Sequence, residues 1–520
     1  MAKAKTTIDP RKETLDKDLG KLVEVEEAAS FVARGLVGPG ISLLFIAFIT
    51  VVASFYFFGQ PSAVLIVAAA ALGGYMALNI GANDVANNVS PAVGAKALTM
   101  GGALMLAAIF ESAGALIAGG DVVGTISKGI VDPAPFADPD TFIWLMMAAL
   151  ISSALWINLA TAIGAPVSTT HSVVGGVLGA GIAAAGFFSV NWTVMASIAA
   201  SWVISPALGG VIAALFLAFI KANLIYQDDK IAAARRWVPV LIAVMAGAFA
   251  AYLAVKGVKK IVELSALQVT LIGLAAFLIA WGVSHAAVRR QSKGMENRNQ
   301  SLRRLFTIPL ICSAALLSFA HGANDVANAV GPLAAIVGAA ATGGVEAKVA
   351  IPLWVMLIGA AGISLGLLLF GPRLIRMVGE QITRLNPLRA FCVALSAAIT
   401  VIVASWFGLP VSSTHIAVGA IFGVGFFREW YTAKSKRRRS YLERKAKRQK
   451  QARKLNFAEE AWEAAEDDDN GRPALSREEI KRRRLVRRAH VTTIVAAWVI
   501  TVPATALVAA LTFLALDSVF

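Results

Sequence analysis

Asp84 and Asp325 occupy the same place in two copies of one heptapeptide, Gly-Ala-Asn-Asp-Val-Ala-Asn, at 81–87 and 322–328. Both copies lie inside long apolar stretches, where an ionised carboxylate and its flanking amides are costly unless a ligand or partner satisfies them. Asp84 and Asn87 are three residues apart and Asn83 and Asn87 four, so on a helix they share one face; Asn324, Asp325 and Asn328 repeat the pattern. Carboxylate, amide and carbonyl oxygens are hard ligands, suited to Na⁺, H⁺ or another hard cation rather than to a soft metal. Gly81 and Pro91 bracket the first set, and Gly322 and Pro332 the second, a pattern that predicts broken helices with backbone carbonyls freed near the acid. The alternative is interhelical hydrogen bonding by the Asn amides beside a protonated Asp.

A second repeated motif follows each copy: Pro-Val-Ser-Thr-Thr-His at 166–171 and Pro-Val-Ser-Ser-Thr-His at 410–415. It reads as a helix start. Pro166 or Pro410 fixes the approach, and Ser168, Thr169 and Thr170, or Ser412, Ser413 and Thr414, then supply hydroxyls where backbone N–H groups lack partners. Such an end attracts anions, and plain N-capping is the competing account. His171 and His415 either relay protons or orient their neighbours. The copies are offset by 241 residues for the first motif and 244 for the second, so both belong to one duplicated unit. Two carboxylates would repel an anion unless they are protonated or hold cations. Acids beside anion-binding helix ends therefore imply cation-coupled movement of an anion. A tetrahedral oxyanion matches the many donors, and phosphate, which can also donate to a carboxylate, matches better than sulfate. Glu111 is a third acid in an apolar stretch, with no acid in the corresponding stretch 351–370; it either binds an extra cation or proton, or hydrogen-bonds Ser112.

The elements that position these residues follow from composition. The 520 residues are 57% hydrophobic and 15% charged, against roughly 25% charged for an ordinary soluble domain. The chain reads as an all-α polytopic membrane protein of about 12–13 helical segments, at 37–58, 62–90, 97–118, 142–163, 166–186, 192–220, 237–255, 264–286, 305–334, 349–370, 388–408, 411–427 and 490–516. Nothing alternates like a barrel strand. Residues 1–34 lack the pattern of a secretory signal, and Cys312 and Cys392 suggest neither a disulfide framework nor a thiolate metal site. The net charge of +16 is concentrated in loops and reads as topology rather than nucleic-acid binding. Basic loops at 289–304, 373–384 and 428–488 are assigned to the cytoplasm. Counting crossings from them places the N-terminus inside and Asp132, Asp138 and Asp140 outside. The helices carrying Asp84 and Asp325 then run in opposite directions, which makes two inverted repeats with broken helices at a central site.

The expected organisation is a charged extension at 1–36, an additional transmembrane segment at 37–58, a first transport repeat at 62–220, and connecting helices at 237–286. A second repeat at 305–427, a charged cytoplasmic loop at 428–489 and a C-terminal helix at 490–516 complete it. The loop reads as a solvated helix or disordered segment with a regulatory or lipid-binding role.

At these motifs the chain resembles the inorganic phosphate transporters of the PiT type, ion–phosphate symporters, over about 62–428 and the last helix. The resemblance implies a central site. Phosphate would be held there by Asn83, Ser168, Thr169, Thr170, Asn324, Ser412, Ser413 and Thr414. The coupling cation would be held by Asp84, Asn87, Asp325 and Asn328, of which Asp84 and Asp325 would ligate Na⁺ in a sodium-coupled carrier; Glu111, read from its own place in an apolar stretch rather than from the resemblance, is a further candidate. Members of the family use Na⁺ or H⁺, and some take a neutral metal–phosphate complex. The expectation is a non-enzymatic importer of inorganic phosphate by alternating access, in a bilayer of the bacterial inner-membrane type, with no cofactor beyond the coupling ion and no nucleic-acid partner. Self-association into a homo-oligomer is left open. The competing readings are a sulfate or other oxyanion permease, an ion channel and a membrane hydrolase.

Overall fold

The computed structural model describes residues 36–520 apart from 61, 85, 133–135, 137, 164–166, 259–260, 343–350, 382–384, 456–487 and 520. All of the expected extension except Leu36 lies outside the described residues, as do Pro166, Arg384 and residues 456–487 of the expected charged loop. The described chain is helical save for one β-bridge between Val131 and Val190.

The first half runs through α1 (Leu36–Tyr56), α2 (Ala63–Asn83), α3 (Ala86–Gly94), α4 (Met100–Ala118), the short α5 (Gly120–Gly124), α6 (Pro139–Ile163), α7 (Thr169–Ala185) and α8 (Trp192–Ile220). A connecting group follows: α9 (Lys230–Lys256), α10 (Ala266–Gln291) and the short α11 (Asn299–Leu305). The second half comprises α12 (Thr307–Asp325), α13 (Ala327–Thr342), α14 (Leu353–Gln381), α15 (Pro387–Trp406), α16 (Ser413–Lys434), α17 (Lys436–Leu455) and α18 (Arg488–Val519).

Polar residues set the helix starts, as N-capping requires. Thr99 caps α4, Asn191 caps α8 and Asp229 caps α9, each accepting a backbone N–H with its side chain. Asn386 caps α15 with Pro387 at its first position, and Ser265 forms a capping box with Gln268 on α10. The Asp229 cap starts α9 at Lys230, seven residues before the apolar run suggests.

Eleven helices among the described residues are long and apolar enough to cross a membrane, with α2–α3 and α12–α13 each counted as one span, so the protein is a multi-pass membrane protein. Each of these two spans is interrupted at its acid. α2 ends at Asn83 with Asp84 as its cap, and α12 ends at Asp325 itself. The breaks do not fall at the bracketing residues: Pro91 lies inside α3 and Pro332 inside α13. The glycines serve packing instead. α2 packs on α14 and α12 on α4. A Cβ on Gly81 would overlap the Ile363 carbonyl, and one on Gly322 would overlap that of Glu111. Gly366 and Gly114 complete the same two crossings from the other side. Where α4 meets α14, Ser112 and Ser364 share a 2.7 Å hydrogen bond.

α7 departs from the expected full crossing at 166–186. Its 17 residues span about 26 Å, short of the ~30 Å hydrocarbon core, because it begins against the break in α2–α3. α16 begins likewise against the break in α12–α13. α7 is backed by α6 and α18, and α16 by α8 and α15. Outside this core, α10 packs mainly on α9 and buries only Gly273, Ser284 and Val288 of its length, leaving its apolar faces to lipid.

Candidate functional site

The two interruptions and the starts of α7 and α16 converge on Asp84 and Asp325. Thr169 donates to Asp84 Oδ2, and Thr414, from the other half, donates to Asp84 Oδ1 at 3.3 Å. Ser413 donates to Asp325 Oδ2 at 3.5 Å. Across the halves, the Asn87 amide donates to Thr414 Oγ1 at 2.8 Å, and the Asn328 amide to Thr170 Oγ1 at 3.2 Å and Thr169 Oγ1 at 3.4 Å. Thr170 donates to the Val411 carbonyl at 3.1 Å. Asp84, Asp325, Asn328 and the six motif hydroxyls are buried, whereas Asn83 and Asn87 are half-buried.

The expected site residues therefore come together, with differing jobs. Ser168 and Ser412 cap their own helices, accepting from the N–H of His171 (3.2 Å) and His415 (3.4 Å). Asn324 is fully engaged: its oxygen accepts from Val411 N (3.2 Å), and its amide donates to Ser405 Oγ (2.9 Å) and the Leu409 carbonyl (3.1 Å). Asn83 likewise donates to the Val167 carbonyl at 3.4 Å. These two amides tie the helix breaks to the loops that lead into α7 and α16. His171 lies beside His415, with ring centroids 4.7 Å apart, and against Trp202 at 3.8 Å; Trp202 donates to the Pro410 carbonyl.

Glu111 joins the site rather than bonding Ser112, which pairs with Ser364. Its Oε1 accepts from Asn88 at 2.7 Å, and its Oε2 lies 2.7 Å from Nδ1 of His321. His321 Nε2 lies 2.8 Å from Asp325 Oδ2, at an angle that makes no good hydrogen bond. A chain of Glu111, His321 and Asp325, all buried, thus reaches the centre from one side only. At the matching place in the α2–α14 crossing stand Ile80 and Ile363, both buried and apolar. His321 and Asn88 escaped the sequence reading, although His321 directly precedes the second heptapeptide and Asn88 directly follows the first.

Asp84, His321 and Asp325 bring one ligand atom each within 4.8 Å of one another. Because His321 already faces carboxylates with both nitrogens, the donors left for a cation are oxygens. Asp325 Oδ1 and Asn328 Oδ1 are buried and accept no hydrogen bond. Buried acceptors without donors fit a hard cation.

Comparison with known proteins gives the chain a family. Residues 80–509 match the model of the phosphate transporter family. A candidate phosphate permease of Helicobacter pylori strain J99 is 44% identical over 96% of this chain and 98% of its own length. Another from Pyrococcus abyssi is 39% identical over 69% of this chain and 87% of its own length. Among solved structures, a sodium-dependent phosphate transporter aligns with a TM-score of 0.73 at 34% identity, covering 88% of this chain and all of its own. That family is one of carriers and not of enzymes, which removes the hydrolase reading. The chain belongs to the phosphate transporter family.

Proposed function

We propose that the chain imports inorganic phosphate by symport with a cation, through alternating access of two inverted repeats. The observation that carries this reading is the paired geometry at the centre: each half supplies an acid, an amide and a hydroxyl-bearing helix start, and the hydroxyls of one half reach the acid or amide of the other. A cation on the carboxylates removes the repulsion that would exclude the anion. Hydroxyls now donating to the acids are then released toward a phosphate at the α7 and α16 ends.

Of the two coupling ions, Na⁺ is the better match. An amide oxygen cannot take up a proton, so the donor-free Asn328 Oδ1 beside the donor-free Asp325 Oδ1 is best satisfied by a metal cation. The sodium dependence of the similar solved transporter supports the same choice. Proteoliposomes given Na⁺ and proton gradients separately test it with radiolabelled phosphate and sulfate. We expect Na⁺-driven phosphate accumulation; uptake indifferent to both gradients ends the symport reading, and preferred sulfate uptake replaces the substrate.

Thr170→Ala and Thr414→Ala each remove a hydroxyl donor from the proposed anion site. A lost hydrogen bond to a charged ligand is worth about 1.5–3 kcal/mol, roughly ten- to hundred-fold in affinity. Equilibrium phosphate binding to the purified variants is expected to weaken by that factor, and unchanged binding in both returns these residues to simple helix-start duties.

The repeats we propose are α2–α8 and α12–α18. Gly179 on α7 meets the Ala506 backbone of α18 as Gly423 on α16 meets the Gly210 backbone of α8. The tetrad Trp-Val-Ile-Ser at 202–205 on α8 returns as Trp-Val-Ile-Thr at 498–501 on α18. The C-terminal helix then belongs to the second repeat, and the charged segment after α16 is an insertion where the first repeat has the short connection between α7 and α8. Inversion places the two ends of the molecule on predictable sides. With Cys312 and Cys392 replaced, a cysteine at exposed Gln60 is expected to react with an impermeant thiol reagent from outside, and one at exposed Asn299 only after permeabilisation. Labelling of both from one side contradicts inversion.

A further inference from the structure

At the basic-loop end of the helices, Lys221 closes α8 with only 6% of its surface exposed. Its ammonium lies over the Tyr431 ring at 4.4 Å and nearer the edge of reach of Phe427 at 5.6 Å. The charged side chains that bear on it are Arg428, Arg389 and Arg438, all of its own sign, and Arg303 adds to the field at Arg389. No carboxylate among the described residues lies within ion-pair distance of Lys221 or Arg389. Lys230, equally buried, donates to Tyr441 Oη at 2.8 Å and to the Gln227 carbonyl, and Tyr226 stacks on Tyr431 with the rings nearly parallel. The group joins the end of α8, the start of α15, the end of α16 and the start of α17.

The ordinary bias of basic residues toward one side of a membrane requires exposed charges in loops. It does not account for a lysine buried between helices amid three arginines. Burial and like-charge repulsion both disfavour that arrangement, and an anion with several acceptor oxygens relieves both, accepting from the ammonium and the guanidinium forks together.

We propose that Lys221 and Arg389, with Arg438 beside them, form a second site for a phosphate group, separate from the central one, that takes either the headgroup of an anionic phospholipid or inorganic phosphate itself. The site stands on this cluster alone and is independent of the transport mechanism. It lies where α17, with its run of Lys and Arg, leaves α16, so its occupant would bridge the insertion to the transport helices.

Purified full-length protein and its Lys221→Met and Arg389→Gln variants are titrated with radiolabelled inorganic phosphate and with short-chain phosphatidylglycerol, with short-chain phosphatidylcholine as the zwitterionic control. The same titrations in the Asp84→Asn background separate this site from the central one. For phosphatidylglycerol in either background, and for inorganic phosphate in the Asp84→Asn background, the Lys221 and Arg389 variants are expected to bind one of the two anionic ligands at least tenfold more weakly than their parent. Saturation at the lower concentration by phosphatidylglycerol assigns a lipid headgroup, and by inorganic phosphate a free anion. Arg389→Gln alters a half-buried side chain, so it keeps the test decisive should Lys221→Met fail to fold. Unchanged affinity of folded Arg389→Gln for both ligands, or equal binding of phosphatidylcholine, overturns the proposal.

Discussion

Asp84→Asn and Asp325→Asn are each expected to leave the protein folded and to lower concentrative phosphate uptake by about a hundredfold, the effect of losing a charged ligand worth roughly 3 kcal/mol. The amide keeps the volume of the carboxylate, so the packing of α2, α12 and their neighbours is undisturbed. The Thr169 and Thr414 hydroxyls that now donate to Asp84 can rotate to accept from an amide instead. What disappears is the negative charge that, on the mechanism we propose, holds a cation against its gradient. Accumulation ratios in proteoliposomes, at equal amounts of inserted protein, measure this directly. Near-normal accumulation by both variants would leave the two acids as structural hydrogen-bonding groups and remove the cation from the central site.

The two acids are not equivalent, and this bears on how such a carrier is energised. Asp84 accepts hydroxyls from both halves, while Asp325 keeps one oxygen without a donor and presses the other against His321. An exact two-fold pair would give Asp325 a hydroxyl from Thr170, but Thr170 turns to the Val411 carbonyl. The site is thus paired in its residue types but asymmetric in how the hydroxyls and His321 meet the two acids. Residual uptake is therefore expected to differ between the two Asp variants.

The central constellation was legible in the sequence because it is written twice. Asp84, Asp325, the flanking amides and the six hydroxyls could be paired by offset alone, and all lie within one cluster. What occurs once was not legible. His321 has Ile80 as its counterpart, so a reading that searches for repetition passes over it. Asn88 hides behind the shared motif for the same reason. The Trp-Val-Ile tetrads were readable in principle, but the charged segment after α16 moves their offset from 244 to 296 residues and so hides the pairing of α8 with α18 that we propose. Gly81 and Gly322 suggested broken helices for the wrong reason. Their role depends on a helix from the other half crossing at that point, which local sequence does not encode.

That crossing carries the second large expectation. Gly322→Ala adds one methyl group directly onto the Glu111 carbonyl, and Gly81→Ala adds one onto that of Ile363. A side chain could rotate aside, but a backbone carbonyl within a helix cannot, so the helices must separate. Overpacking costs typically about 1–3 kcal/mol, and here the upper end is expected because the clash is with backbone. Gly101→Ala is the control: nothing lies near its added methyl, and Ala favours a helix over Gly by up to ~1 kcal/mol. Thermal unfolding in detergent should therefore fall for both crossing variants and hold or rise for Gly101→Ala. Uptake separates the two crossings. Gly322→Ala moves Glu111 away from His321 and disturbs the Glu111–His321–Asp325 chain, so uptake per folded molecule should drop below about a tenth, in line with the 10–100-fold losses typical when a group orienting a ligand is displaced. Gly81→Ala disturbs an apolar crossing and should retain more of its transport per folded molecule. If Gly322→Ala unfolds and transports like Gly101→Ala, the close approach of α12 to α4 is wrong, and with it the path from Glu111 to the central acids.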